Sequence, residues 1–243
     1  MEFVDQVIAA MELLARRDMS GKMPSSTSEL YWHMGIDTPD VRKLARRFSK
    51  AFCEHTWSNQ VRIVQHLLNY GSDEMAHLGV FLLSSSVDDM ATVDVRALDS
   101  MIGAFRGWSV TDAFCIEVLQ PLLEQYTTDV LALLADWATA ESRWKRRASV
   151  VVFTRKIGAG GHYTRQGLAA CERLITDSDD LVRKGIGWAL KDLMRGDRET
   201  VLDYVLNLRR RGVSSVITLY ALRDVQGAER QRILAQQREA DSE

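Results

Sequence analysis

The sequence has few of the residues that cross-link a chain or break its helices. It contains three cysteines and three prolines in 243 residues. Cys53, Cys115 and Cys171 are odd in number, widely spaced and set among apolar neighbours. This pattern favours reduced, buried thiols over a disulfide framework or a zinc site. Because no proline follows Pro121, no residue in the second half of the chain forces a helix to end.

Long apolar runs and the common cofactor motifs are also missing. No apolar run approaches the ~20 residues that cross a bilayer, and the acids Glu2, Asp5 and Glu12 argue against a signal peptide. The five histidines form no HExxH pair, and the sequence has no GxxxxGK[ST], GxGxxG or GxSxG motif. We therefore expect a cytoplasmic protein with no metal, no cofactor and no membrane partner.

Apolar residues recur at helical spacing almost everywhere, and no segment alternates as a strand would. One stripe comprises Val95, Leu98, Met101, Ile102 and Phe105. Such stripes indicate helices that bury one face. The fold class predicted from this pattern is all-α.

Candidate start and stop signals mark several of these helices. Ser72 and Ser178 are predicted N-caps, and Gly196 is a predicted stop. Gly158, Gly160 and Gly161 predict a flexible loop. Since no clear linker separates two parts of the chain, we expect a single domain over residues 1–243.

Four segments share a polar or basic approach, a small residue and then an apolar run. Their small residues are Ala76, Ala113, Ala148 and Gly185, at steps of 37, 35 and 37 residues. A period of this length, filled by two helices, is typical of an α-solenoid, a superhelix of HEAT-like two-helix repeats. The small residue would let one helix approach the next closely. The spacing therefore predicts a repeat protein.

Three of the four residues just before the small positions are charged. The four residues are Met75, Asp112, Arg147 and Lys184, and they would occupy equivalent places in stacked repeats. Trp188 follows Lys184 by one helical turn, and Trp108 precedes Asp112 by one turn. This register predicts a surface that gathers indole rings, one carboxylate and several cations.

Local basic stretches stand out although the formal net charge is only −2. Such stretches are either solvated helix faces or surfaces that bind a phosphate backbone, and their recurrence in a repeat protein favours DNA binding. The cations that we predict to contact DNA are Arg42, Lys43, Arg143, Lys145, Arg146, Arg183 and Lys184.

Each candidate site residue also has a structural explanation. Ser109-Val110-Thr111-Asp112 fits a capping pattern in which Asp112 reaches back to the helix start. Arg147 is compatible with a structural ion pair to Asp112, and Trp188 is compatible with a place in the core. These alternatives stay open for each residue taken alone.

Taken together, the stretches resemble the DNA alkylation repair enzyme family of the AlkD type. The resemblance covers residues from about 35 to 204 and includes Met34-Gly35-Ile36-Asp37-Thr38-Pro39 near its start. Its order and spacing match at Gly107-Trp108-Ser109-Val110-Thr111-Asp112, Trp144-Lys145-Arg146-Arg147-Ala148, and Val182-Arg183-Lys184-Gly185-Ile186-Gly187-Trp188. Ser25-Ser26-Thr27-Ser28 stand where the family carries an aromatic residue that helps to hold DNA.

The resemblance implies a bacterial DNA glycosylase that holds duplex DNA and releases cationic N3- or N7-alkylated purines without a base-flipping pocket. By position, Trp108, Asp112 and Arg147 match the family's catalytic residues, and Trp188 matches an aromatic residue that contacts DNA. We expect a monomer in the bacterial cytosol or nucleoid. Two other functions stay open: a non-catalytic HEAT-like protein that binds branched or damaged DNA, and a HEAT-like protein–protein scaffold.

Overall fold

The computed structural model describes residues 2–15, 31–87 and 93–240, and the regular secondary structure within these ranges is helical. No β-strand occurs within them, although an isolated parallel bridge joins Trp32 and Ser72. The prediction of an all-α repeat fold is confirmed. Ser25-Ser26-Thr27-Ser28 lie outside the described residues.

The contacts divide the chain into two compact units, Met1–Leu133 and Leu134–Glu243. The prediction of a single domain stays a prediction. The boundary falls within a helix, α8 (Thr127–Trp137). The helices before it are α1 (Glu2–Leu14), α2 (Thr38–Cys53), α3 (Trp57–Asn69), α4 (Asp73–Ser84), α5 (Leu98–Ile102), α6 (Trp108–Phe114) and α7 (Gln120–Gln125). Those after it are α9 (Arg143–Val151), α10 (Arg155–Ala159), α11 (Thr164–Arg173), α12 (Asp180–Gly196), α13 (Arg198–Arg210), α14 (Ser215–Ala221) and α15 (Gly227–Ala240).

In the first unit, α4 is the central helix and packs against α2, α3 and α6. Its N-cap is Ser72, as predicted, whose hydroxyl accepts the Met75 amide. Gly79 lets α3 approach closely, since a Cβ there would lie 3.0 Å from a methyl group of Val64. The predicted stripe from Val95 to Phe105 is buried at all five positions and completes this core.

In the second unit, α12 has the central place and packs against α9, α10, α11, α13 and α14. Its N-cap is Asp179, one residue after the predicted Ser178, because the carboxylate accepts the amides of Leu181 and Val182. The helix ends at Gly196, as predicted.

The glycine-rich segment from 158 to 161 is a packing contact, so the prediction of a flexible loop is wrong. Gly158 is buried within α10. A Cβ on it would lie 2.6 Å from the Phe153 carbonyl oxygen and 3.0 Å from the Asp192 carbonyl carbon. Glycine is needed here because the backbones of α10 and α12 come too close for any side chain.

The four repeated segments all begin on helices, and three of them share one register. The small residue lies six positions after the N-cap in α6, α9 and α12, and four positions after it in α4. The preceding residues differ in exposure. Met75 is fully buried, Asp112 is 7% exposed, Arg147 is 5% exposed and Lys184 is exposed.

Candidate functional site

Trp108 and Asp112 lie one turn apart on α6, in the first unit. The helix begins at Trp108 because Gly107 is extended, with φ −150° and ψ 154°. The indole of Trp108 is 45% exposed, whereas Asp112 is nearly buried. Residues four apart share a helix face, so an exposed aromatic ring stands one turn from a buried carboxylate.

The capping explanation for Asp112 is wrong. Gly107, not Ser109, is the N-cap of α6, and Ser109 is the second residue of the helix. The Ser109 hydroxyl donates to Asp73 Oδ1 at 3.0 Å and therefore ties the start of α6 to α4. Sequence spacing alone did not reveal this partner because it lies 36 residues away.

The helix that carries Asp112 continues through a π-helical turn, Cys115–Leu119, into α7. Pro121 follows directly and has no N–H to donate, so regular α-helical bonding is interrupted at this place. Glu117 in this turn accepts a 2.6 Å bond from Arg42, whose guanidinium carbon lies 3.9 Å from the Phe81 ring centroid. π-Helical turns are rare, and those that occur within α-helices frequently lie at functional sites.

Asp73 forms a partly buried ion pair with His77, at 3.0 Å between Oδ2 and Nδ1. Burial raises the pKa of Asp73, but the hydrogen bonds from His77 and Ser109 and the charge of His77 outweigh it, so the pKa lies below its ordinary value. Burial lowers the pKa of His77, but its bonds to Asp73 and the charge of that carboxylate leave the pKa raised. Both groups are thus stabilised in their charged forms, which strengthens the anchor for α6.

The turn before α2 is held by a second acid of α4. Gly35 has φ +76°, a conformation that favours glycine. The Glu74 carboxylate accepts the amides of Met34 and Gly35, each at 2.9 Å. The glycine–threonine–proline stretch is therefore anchored by Glu74, which the sequence analysis did not single out.

Trp32 is a further exposed aromatic residue that the sequence analysis did not single out. Its indole is 45% exposed, like that of Trp108, and packs 5.7 Å from the Tyr70 ring. Its indole nitrogen and the Arg106 guanidinium flank Gly71, at 3.7 and 3.6 Å from the position of a Cβ. Its place three positions before Gly35 is the sequence signal that could have identified Trp32.

Arg147 lies on α9 in the second unit and connects that helix to α12. Its guanidinium donates to the Leu181 carbonyl oxygen in the first turn of α12. Its stem passes close to Gly185, where a Cβ would lie 3.5 Å from Arg147 Cγ. The small residue in this repeat therefore makes room for the arginine stem as well as for the valines of α9.

Trp188 and Lys184 lie on one face of α12. Lys184 is exposed, and among the described residues it pairs with no acid. Trp188 is partly exposed, and the Arg155 guanidinium lies over its ring, 5.5 Å from the centroid. A place wholly within the core, the alternative for Trp188, is therefore excluded.

The other predicted DNA contacts differ in exposure and in the acids that they contact. Three are bound to the Asp177–Asp180 turn: Arg143 pairs with Asp179 at 3.1 Å, Arg146 with Asp177 at 2.6 Å, and Arg183 with Asp180 at 3.4 Å. Arg42 is paired with Glu117, Lys145 is partly exposed and Lys43 is exposed. DNA binding by these residues stays a prediction.

The described residues contain neither a cluster of metal-ligating side chains nor a helix suited to crossing a membrane. Across the described ranges, no three histidine, cysteine or acidic side chains come together as metal ligands would. In the same part of the chain, no helix combines the length and the apolarity that crossing a bilayer needs.

Comparisons with known proteins point to one family. A solved structure described as a predicted DNA alkylation repair enzyme from Enterococcus faecalis has a similar fold, with a TM-score of 0.69 and 15% identity. The match covers 93% of this chain and 96% of that one. A search of curated protein sequences found no significant match. The family model described as DNA alkylation repair enzyme matches residues 7–225, and the chain therefore belongs to the DNA alkylation repair enzyme family.

Proposed function

We propose that this protein is a DNA glycosylase that releases N3- and N7-alkylated purines from duplex DNA. The observation that carries the proposal is the pairing on α6 of a nearly buried carboxylate, Asp112, with an exposed indole, Trp108, in a member of this family. The finer substrate range and action as a monomer without a cofactor stay predictions.

The chemistry suits a single carboxylate. An N3- or N7-alkylated purine carries a positive charge, so the C1′–N bond can break with its electron pair passing to the base and neutralising it. The sugar then becomes oxocarbenium-like. Water adds to C1′ and loses its proton, which completes the hydrolysis. No general acid is needed for the leaving group.

Asp112 would stabilise the positive charge on the sugar and orient the water. Its burial supports this role, because a fixed charge acts more strongly where water is excluded. Trp108, half exposed one turn away, would pack against the deoxyribose, with its ring face toward the developing cation. Ser109, through its bond to Asp73, would keep both residues at a fixed place on α6.

Arg147 and Trp188 would contribute from the second unit. A guanidinium can bind a phosphate through two parallel hydrogen bonds, so Arg147 would hold the strand. Trp188 would pack against DNA through its exposed edge, with Lys184 one turn before it supplying charge. Selectivity would come from the lability of the charged base, and uncharged lesions would be poor substrates.

The decisive experiment measures free 7-methylguanine and 3-methyladenine released from methylated duplex DNA. We expect release by the wild-type protein. Asp112→Asn, which keeps the shape and removes the charge, should lower the single-turnover rate about 10²–10³-fold with DNA affinity largely kept. Asp129→Asn, on the exposed face of α8, is the matched control and should release bases at the wild-type rate.

Three outcomes would contradict the proposal. An unchanged release rate for Asp112→Asn would show that Asp112 is not the catalytic carboxylate. Tight DNA binding without release by the wild type would favour the non-catalytic DNA-binding function. Binding that hardly depends on salt would favour the protein–protein scaffold, because contacts to Z phosphates give a log–log slope of about −0.9Z.

A second variant tests the phosphate contact. Arg147→Lys keeps the charge and most of the stem but cannot form two parallel hydrogen bonds. We expect weaker DNA binding and slower release, with unfolding transitions close to wild type. Unchanged DNA affinity would leave Arg147 with the structural role that its bond to Leu181 already shows.

A further inference from the structure

Arg155 is held in an unusual backbone conformation. Its φ is +50°, and within the described ranges it is the one non-glycine residue with a positive φ. An L-residue with a Cβ adopts this region only when its surroundings impose it. The side chain of Arg155 is exposed, so the conformation does not serve to bury it.

A buried carboxylate imposes the conformation. Asp192 is 1% exposed, and its Oδ2 accepts the Arg155 amide at 2.7 Å. Its other oxygen, Oδ1, faces Lys191 Nζ at 3.0 Å and the Arg195 guanidinium at 3.1 Å. The negative charge of Asp192 is thus paired with two cations, of which Arg195 also pairs with Asp224 at 2.5 Å.

This arrangement positions the Arg155 guanidinium. It lies over the Trp188 ring, 5.5 Å from the centroid, and it pairs with no carboxylate among the described residues. A ring face accepts none of the in-plane N–H groups of arginine. These donors therefore stay available to a ligand that carries a planar carboxylate or a tetrahedral phosphate group.

The surrounding helix face has the charge that such a ligand needs. Four residues of α12 recur at helical spacing along this face: Lys184, Trp188, Lys191 and Arg195. They form a stripe of three cations and one aromatic ring. Lys191 and Arg195 are paired with Asp192, and Arg195 also pairs with Asp224 at 2.5 Å, whereas Lys184 pairs with no acid among the described residues. The Arg155 guanidinium lies over the ring of Trp188 in this stripe. Phosphate groups along a nucleic-acid strand are the anions that match a linear stripe of this kind.

We propose that Arg155 is a DNA-contacting residue that binds the backbone phosphate next to the sugar packed on Trp188, and that Asp192 is its positioning residue. The proposal rests on the proposed DNA-binding function. It adds a specific contact at Arg155, which is not among the DNA contacts predicted from the sequence, and it accounts for the unusual backbone conformation of this residue.

The first test measures binding of the full chain to an unmodified duplex by fluorescence anisotropy, at salt concentrations from about 50 to 200 mM. Removal of one phosphate contact should lower the log–log slope by about 0.9. We expect this change for Arg155→Gln. Arg165→Gln removes the same charge from an exposed place on α11 and should leave the slope unchanged.

The second test separates the contact from folding. Arg155→Gly relieves the backbone conformation while removing the guanidinium, so it should unfold at the same or a higher temperature and still lose the same slope. Asp192→Asn should weaken DNA binding in the wild-type background but not further in Arg155→Gly. This dependence on Arg155 is not expected of a residue that acts only on stability.

The outcomes distinguish this proposal from the glycosylase proposal. If the wild type releases alkylated purines but Arg155→Gln keeps the full slope, the Arg155 contact is wrong and the glycosylase stands. If Arg155→Gln loses the slope while the wild type releases no base, the contact stands and the glycosylase is wrong. An equal slope change for Arg165→Gln, or no DNA binding by the wild type, would overturn the Arg155 contact.

Discussion

Helices α4 and α12 carry matching repeat segments but use them differently. In α4, the residue before the small position is Met75, which is fully buried, and the helix is buried along most of its length. In α12, the matching residue is Lys184, which is exposed at the head of a basic stripe. The acids of α4 bind neighbouring segments, and α12 also buries an acid, Asp192, but its Lys184 pairs with no acid among the described residues.

The comparison teaches that the residue before the small position can lie either in the core or on the surface. In α12 the small residue is Gly185, which permits a close approach of α9, and in α4 it is Ala76, which is fully buried. The residue before it is free to vary, since its environment depends on what covers that face. Asp112 and Arg147, in the two intermediate segments, combine burial with charge and are the candidates for chemistry.

Placing the residue type of each helix at the matching position of the other should have the largest effect on stability. It tests the contrast between α4 and α12 most directly. Met75→Lys places an unpaired ammonium in the core, which should lower the free energy of unfolding by about 4 kcal/mol or prevent folding. Lys184→Met should change it by no more than about 0.5 kcal/mol, because the side chain is exposed. Urea unfolding measures both.

The salt dependence of DNA binding sharpens the same comparison. Lys184→Met should lower the slope by about 0.9 if Lys184 contacts one phosphate. Equal stability losses for the two variants would show that the positions are not distinguished by burial. An unchanged slope for Lys184→Met would remove Lys184 from the predicted DNA contacts.

Substitution of two helical glycines by alanine should give a smaller difference in the free energy of unfolding. Gly158→Ala in the second unit forces a Cβ against backbone atoms at 2.6 and 3.0 Å, so we expect a loss of about 2–3 kcal/mol. Gly79→Ala meets a valine methyl group at 3.0 Å, which a side-chain shift relieves. Because alanine also favours helix by about 1 kcal/mol, Gly79→Ala should be nearly neutral.

Thermal and urea unfolding of the two glycine variants measure this difference. The matched substitution keeps the chemistry constant and varies only what the new Cβ meets. A loss for Gly79→Ala as large as that for Gly158→Ala would show that α3 and α4 cannot adjust. The role of backbone contact in the α10–α12 packing would then lose its support.

The Asp73–His77 pair should make the smallest contribution, and one that depends on pH. The raised pKa of His77 means that its contribution is present below the unfolded value, about 6.5, and is lost as pH rises through the folded value. The lowered pKa of Asp73 means that its contribution is present above the unfolded value, about 3.9, and is lost as pH falls through the folded value.

We therefore expect His77→Gln to cost about 1–2 kcal/mol near pH 5.5 and less near pH 9, measured by urea unfolding. His33 and Glu74 face the same pair, and their charges act on Asp73 and His77 respectively. His66→Gln, on the exposed side of α3, is the control and should cost little at either pH. If His77→Gln lowered the free energy of unfolding equally at both pH values, the ion pair would not be the cause of the loss.

Part of the candidate site was predictable because it depends on short stretches of sequence. The spacing of Trp108 and Asp112 places them on one helix face wherever that helix lies. The small residues at 148 and 185 marked a close approach, which the contacts of Gly185 with α9 confirm. The partners of these helices were not predictable, because Asp73, Glu74 and Asp192 act on residues about 36 to 40 positions away.

The glycines at 158 to 161 show why a local pattern can mislead. Clustered glycines favour flexibility in an isolated segment, but here Gly158 is required by the backbone of α12. Likewise, the S-x-x-D pattern at Ser109 fits a cap, yet the hydroxyl finds Asp73 in another helix. In both cases a tertiary contact replaced the local interaction that the pattern describes.

By itself the sequence determined the helical class, the repeat length and the positions where charge interrupts an apolar face, because periodicity and residue type are local properties. Only the tertiary structure decided that Met75 is core, that Asp112 and Arg147 are charged residues with little exposure, and that Arg155 is held over Trp188. These outcomes depend on which helices pack together, and the free energy of burying or pairing a charge is set by that packing.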